Sequence, residues 1–319
     1  MSLNALLSIV LPVFGFIGIG YGVIWGRILK PDVGDGLGSF VFTIAVPTLL
    51  FRAIGTLKLP DISPWPYWLA YFCGVLITVG IGALLVEKAF GRDARAGVIG
   101  GLSSSFSNTV MVGLPIVTQA FGDEGLVTGF LLVAIHLPVM MTISAILIEV
   151  AEYRDGTGSG GVRITAALQR VFYSLMFNPL VIAILAGAAF RLTGLPLTGI
   201  PRTIIDRISD TAIPLALVAM GMSLHKYGIS GNVRPALALT ALKLLGMPAV
   251  VYVLAVHVAG LPPIAASVAV VMAACPTGVN AYLIATRFRT GLALSANTIS
   301  LTTVLSILTF TLWLSVVGA

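Results

Sequence analysis

Long apolar runs recur along the whole chain, separated by short charged or Gly/Pro-rich breaks. A helix needs about 20 apolar residues to cross a bilayer's hydrocarbon core, and the runs have that length. Parsed between breaks, they predict ten helices at about 3–26, 36–56, 66–87, 95–121, 125–150, 168–190, 203–225, 235–258, 262–286 and 291–317. The run starting at Leu3 has no Lys or Arg before it and is longer than a signal-peptide core, so it is expected to be a retained helix. The longest polar connection, Glu152 to Arg163, is rich in glycine and charge and divides the chain near its midpoint. It predicts a first five-helix repeat over 1–151, a linker over 152–165 and a second five-helix repeat over 166–319.

Composition supports an all-α polytopic membrane protein. Hydrophobic residues make up 58% of the 319 and charged residues 9%, where soluble domains carry roughly 25% charged residues. The net charge of +6 comes from basic residues spread singly through loops, which argues against nucleic acid as a partner. Alternating helices would place Arg27, Lys30, Lys88, Arg92, Arg95, Arg154, Arg163, Arg170, Lys226, Arg234, Arg287 and Arg289 on one side, and Arg52, Lys58, Arg191, Arg202 and Arg207 on the other. Cytoplasmic loops carry the Lys/Arg excess, so both termini are expected outside and the linker inside the cell's inner (plasma) membrane. Five helices per half start the second half on the opposite side, so any repeat is inverted.

Weak internal similarity follows that expectation. Pro47 lies mid-way along the second helix of one half, in "FTIAVPTLLFRAI", and Pro214 along that of the other, in "SDTAIPLALVAMG". The fourth helices, with "SSSFSNTVMVGLPIV" and "MAACPTGVNAYLIA", both place small, polar and helix-breaking residues at mid-membrane depth. Proline lacks a donor and clashes with the carbonyl four residues back, so Pro115, Pro276, Pro47 and Pro214 are expected helix breaks, with Gly113 beside the first. In lipid such breaks survive only where protein or a water-filled cavity supplies replacement partners. Unwound ends would present amides and a positive dipole end to an anion. Ser107, Asn108 and Thr109 with Pro276, Thr277, Gly278 and Asn280 therefore form the candidate substrate site. Packing alone is the simpler account of Ser103 to Ser105.

Ionisable residues at depth are few. Lys243, about nine residues into the eighth helix, is a candidate partner for a substrate carboxylate or a residue that snorkels to the interface. His136, just before Pro138, is a candidate for substrate or proton binding, or else a core histidine. Arg52 is expected to anchor at the interface. Neither HExxH nor a deep Asp or Glu appears, which argues against a metalloprotease or an intramembrane aspartic protease, and no cofactor is implied. The glycines of "GFIGIG" and "GVIGG" read as packing glycines, and the two cysteines as core residues.

The stretch from Asn108 to Pro115 resembles the helix 4 motif of the auxin efflux carrier family, Asn-Thr, apolar residues, then Gly-x-Pro. Pro276-Thr277-Gly278-Val279-Asn280-Ala281 looks like the second crossover of its bacterial branch, and Val46-Pro47-Thr48-Leu49-Leu50-Phe51 resembles its helix 2 signature. The family includes plant PIN-type auxin exporters and bacterial carriers of malate, malonate and related acids, and bile-acid-symporter-like folds share its crossed helices. The resemblance implies a scaffold of helices 1, 2, 6 and 7 that forms a homodimer, a transport domain of helices 3–5 and 8–10, and elevator-type transport of a small organic anion. Two alternatives stay open: a sodium-coupled bile-acid-type symporter, and a receptor or sensor that binds without transporting. Plant members carry Pro where this chain has Ser107, and a long cytoplasmic loop where it has a short linker.

Overall fold

The computed structural model describes residues 3–57, 62–156, 177–229, 231 and 233–318. The helices are α1 (Leu3–Trp25), α2 (Pro31–Thr56), α3 (Pro64–Ala89), α4 (Ala94–Ser103), α5 (Thr109–Arg154), α6 (Pro179–Leu192), α7 (Gly199–Leu224), α8 (Arg234–Val258), α9 (Pro263–Ala274), α10 (Asn280–Phe288) and α11 (Leu292–Val316). Six of them, α1, α2, α3, α5, α8 and α11, are long and apolar enough to cross a membrane. The expected all-helical class holds: among the described residues the β-pairing is a single isolated bridge. Most of the expected linker, and the start of the sixth predicted helix at 168–176, lie outside the described residues.

Helix boundaries follow local chemistry. Proline opens α2, α3, α6 and α9, where its missing N–H costs nothing. The start of α4 is held by two carboxylates: Asp93 accepts from the Ala96 amide at 2.7 Å, and Asp155 accepts from the Ala94 and Arg95 amides at 3.0 Å each. Anions at this end also favour the helix dipole. Asp155 follows the last turn of α5, so these bonds tie α5 to α4. Gly122 (φ 59°, ψ −148°) breaks α5 into limbs 109–121 and 123–154, a backbone conformation that side-chain-bearing residues rarely adopt.

Proline acts less drastically than the sequence suggests. Three π-helical turns, Val41–Ala45, Thr109–Gly113 and Leu242–Gly246, each end two residues before a proline, Pro47, Pro115 and Pro248. The wider turn gives the carbonyl ahead of each ring room, and the helix continues. The helix α7 runs unbroken through Pro214. Pro47, Pro115 and Pro214 are therefore not breaks. The chain breaks instead between Ser103 and Thr109 and between Ala274 and Asn280, where Pro276 does interrupt the helix.

Packing separates the helices by neighbour. Helix α1 lies along α7, and α2 lies along α6 and α7; α3 packs on α4 and α8, α9 on α5, α8 and α11, and α10 on α4 and α11. Small residues permit the closest approaches, as expected where lipid removes the hydrophobic drive for helix association. A methyl group on Gly221 would lie 2.0 Å from the Ile17 carbonyl oxygen, and one on Gly20 2.1 Å from that of Val218. In "GFIGIG" only Gly20 serves this purpose, since Gly15 and Gly18 face open space, whereas Gly97, Gly100 and Gly101 of "GVIGG" all pack closely. Large apolar side chains such as Leu11, Ile19, Ile81, Leu185 and Leu308 are exposed on the outer surface, with Trp25 and Trp65 near helix ends. A bilayer covers such a surface, with tryptophans at its interfaces.

Candidate functional site

The two breaks meet. Between α4 and α5, and between α9 and α10, the chain is extended enough to form an antiparallel bridge pairing Ser107 with Thr277. The Asn108 amide donates to the Pro276 carbonyl at 2.9 Å, and the Gly278 amide to the Phe106 carbonyl at 2.7 Å. These bonds give partners to backbone groups that the unwound helices leave open, as buried polar backbone requires. Side chains lock the bridge further. Thr277 Oγ1 donates to the Ser103 carbonyl at 2.6 Å, and the Thr277 amide donates to Thr302 Oγ1 of α11 at 3.0 Å. Five of the sequence-predicted residues, Ser107, Asn108, Pro276, Thr277 and Gly278, thus share one contact, and Thr109 and Asn280 open the helices that leave it.

The two asparagines differ in role. Asn108 is buried; its Oδ1 accepts from the Met111 amide at 3.3 Å, capping α5, and its Nδ2 points to Met220 Sδ of α7 at 3.2 Å. Asn280 is half-buried at the first position of α10, a helix with no side-chain cap. The first amides of α10 turn back on the chain itself: Ala281 donates to the Gly278 carbonyl at 3.2 Å, and Tyr282 and Leu283 to that of Val279 at 3.0 and 3.1 Å. Gly113 serves packing: a methyl group there would lie 2.6 Å from Met272 Sδ and 3.1 Å from Cys275 Sγ.

Lys243 lies beneath the bridge with no solvent exposure. Its Nζ donates to Ser107 Oγ at 2.9 Å and to the Ala273 carbonyl at 2.5 Å, and meets Met247 Sδ at 3.3 Å. It does not snorkel. Ala273 precedes the second break and Ser107 lies in the first, so one ammonium joins both to α8. Among the described residues no carboxylate lies within ion-pair distance of it. His136 is buried among Phe106, Tyr71 and Phe72, with ring centroids at 5.5, 5.7 and 6.3 Å, and its Nε2 has no hydrogen-bond partner. The fully buried Tyr67 and Tyr71 complete this layer. Neither tyrosine is marked in the sequence, because each sits in an apolar helix without a motif.

A second polar feature lies elsewhere. Arg52 pairs with Asp206 at 3.2 Å and with Asp210 at 2.9 Å, holding α2 to α7, and Arg202 meets Asp206 at 3.3 Å. With Asp123 at the α5 break they line a cavity of about 330 Å³ that none of the bridge residues borders. Arg52, expected to anchor at the interface, ties two helices together. Its partners stand more than 150 residues away in sequence, beyond the reach of any local signal. Among the described residues no group of three or more His, Cys, Asp or Glu is placed to hold a metal ion.

Comparison with known proteins places this architecture. The family model described as "Membrane transport protein", that of the auxin efflux carriers, matches residues 5–314. The chain belongs to this family. It is also 27% identical over 310 residues to an "Uncharacterized transporter" of Methanothermobacter thermautotrophicus, covering 95% of this chain and 96% of that protein. A "Putative malonate transporter" of Rhizobium meliloti is 24% identical over 325 residues, with 95% and 93% coverage. The "Lysosomal cholesterol signaling protein" of Mus musculus is 27% identical over 197 residues, 60% of this chain and 22% of that protein. Family membership makes the chain a multi-pass membrane transport protein, in a family that is not a class of enzymes.

Proposed function

We propose that the protein carries a small organic anion, a carboxylate such as malonate, malate or an auxin-like acid, across the cell's inner membrane by an elevator-type alternating-access movement. The observation that carries the reading is the bridge between two broken helices. It gathers buried Ser107, Asn108 and Thr277 beside the uncapped start of α10, where Asn280 is half-buried. The positive dipole end of such a helix favours negative charge without a dedicated basic cluster. The relative named as a malonate transporter, similar over nearly the whole chain, points to the same chemical class.

Read as ten crossings, α4 with the first limb of α5 form the fourth and α9 with α10 the ninth, so the breaks fall in equivalent helices of two inverted halves. Helices α1, α2, α6 and α7 then form a scaffold, and α3–α5 with α8–α11 a moving body. Support comes from the ion pairs: Arg52–Asp206, Arg52–Asp210 and Lys226–Asp35 tie the first group together, and Arg154–Glu87 and Arg95–Asp155 the second. Among the described residues the contacts between the groups include no such ion pair; they are contacts such as Asn108 against Met220 and Phe14 against Phe310. The charge asymmetry of the loops supports an orientation with both termini outside. A homodimer through the scaffold completes the arrangement.

Purified protein tests the reading directly, because a ligand that binds only the folded state raises its melting temperature with concentration. Malonate, malate and indole-3-acetate are screened with sodium and with potassium as counter-ion. At least one is expected to stabilise the wild type, and Asn280→Ala is expected to remove that response while melting normally in buffer. Equal stabilisation of wild type and variant would contradict the site. A response that needs sodium would favour the bile-acid-type alternative. The relative named as a signaling protein supports a second reading, a sensor, which would bind without flux.

A further inference from the structure

We infer that Lys243 is a cationic group that selects the substrate by its number of negative charges, favouring dicarboxylates over monocarboxylates. The inference rests on the carboxylate site proposed above. Lys243 is fully buried, and its donors meet neutral acceptors: Ser107 Oγ, the Ala273 carbonyl and Met247 Sδ. A buried ammonium ordinarily faces a carboxylate, and among the described residues none is within ion-pair distance of this one. An ammonium buried without a counter-ion is costly, so its charged form and an anion bound nearby favour one another.

Ser107 links Lys243 to the bridge, so an anion held beside the bridge lies within its field. Ser107 accepts the ammonium's hydrogen bond and is followed by Asn108, whose amide donates to Pro276. With its donors engaged, Lys243 acts on the substrate through space and does not grip it. A carboxylate about 10 Å from a unit charge, at an effective dielectric constant near 20, binds roughly tenfold more tightly for each negative charge it carries. A dianion gains that factor twice. Lys243 is thus a positioning and specificity residue, distinct from the asparagines that contact the anion.

The test is an isosteric charge series, malonate, malonamate and malonamide, read by thermal shift and by flux into proteoliposomes. In the wild type, malonate is expected to bind at least about tenfold more tightly than malonamate. Lys243→Gln, which keeps a hydrogen-bond donor and loses the charge, is expected to weaken malonate about tenfold more than it weakens malonamate. Met247→Leu, which keeps the charge and removes only the thioether contact, is expected to leave the malonate-to-malonamate ratio within about threefold of wild type. A wild type that binds malonate and malonamate equally overturns the inference even if the glutamine variant does not fold. A glutamine variant that weakens both equally, as a purely structural lysine would, also overturns it, with the carboxylate site left standing. A wild type that responds to no carboxylate at all overturns the carboxylate site and this inference together.

Discussion

Thr277 shows how a single side chain holds the break in place. Its hydroxyl donates to the Ser103 carbonyl at 2.6 Å, and both groups are fully buried. Removing the hydroxyl leaves a buried carbonyl without that partner, a loss of about 1–3 kcal/mol. Thr277→Val is expected to lower the melting temperature markedly and Thr277→Ser to stay near wild type, by differential scanning fluorimetry in detergent. At this scale the sequence was partly readable. The depth of Lys243 and the polar run 103–109 are visible in the linear pattern. The pairing of Ser107 with Thr277, and of Lys243 with Ala273, joins residues far apart in sequence, so no local period encodes it.

Among elements, the sequence overestimates proline and underestimates glycine. Pro115 and Pro47 follow π-helical turns that let the helix continue, and the break near Pro115 falls upstream, across Ser104 to Asn108. The ring's steric demand is fixed, but whether a helix meets it by breaking or by widening depends on neighbours that the linear pattern does not show. Glycines share this ambiguity. Gly18 and Gly221 both lie in apolar helices, yet only at Gly221 would an added methyl group meet backbone, 2.0 Å from the Ile17 carbonyl oxygen. Gly221→Ala must push α1 from α7, and an overpacked contact costs about 1–3 kcal/mol. Gly221→Ala is therefore expected to lower the melting temperature, and Gly18→Ala to leave it unchanged or slightly raised through its better helix propensity.

For the whole molecule, the claim is that two bodies move against each other. Tyr227 and Tyr282, with ring centroids 5.1 Å apart, lie on opposite sides of the proposed division, and the Ser300 hydroxyl donates to the Tyr227 carbonyl across it. Asp35 and Lys226 lie on the same side. In a background with the exposed Cys73 replaced, a short thiol cross-linker between Tyr227→Cys and Tyr282→Cys is expected to stop flux, with recovery on cleavage of the linker. The same cross-link between Asp35→Cys and Lys226→Cys is expected to leave flux intact. Equal flux after both would argue against relative movement. The most direct test of the central claim is labelled-malonate counterflow in proteoliposomes, comparing wild type with Asn280→Ala. Flux through the wild type, lost in the folded variant, is the predicted result. Undiminished flux through Asn280→Ala would contradict a carboxylate site at the crossing of the broken helices.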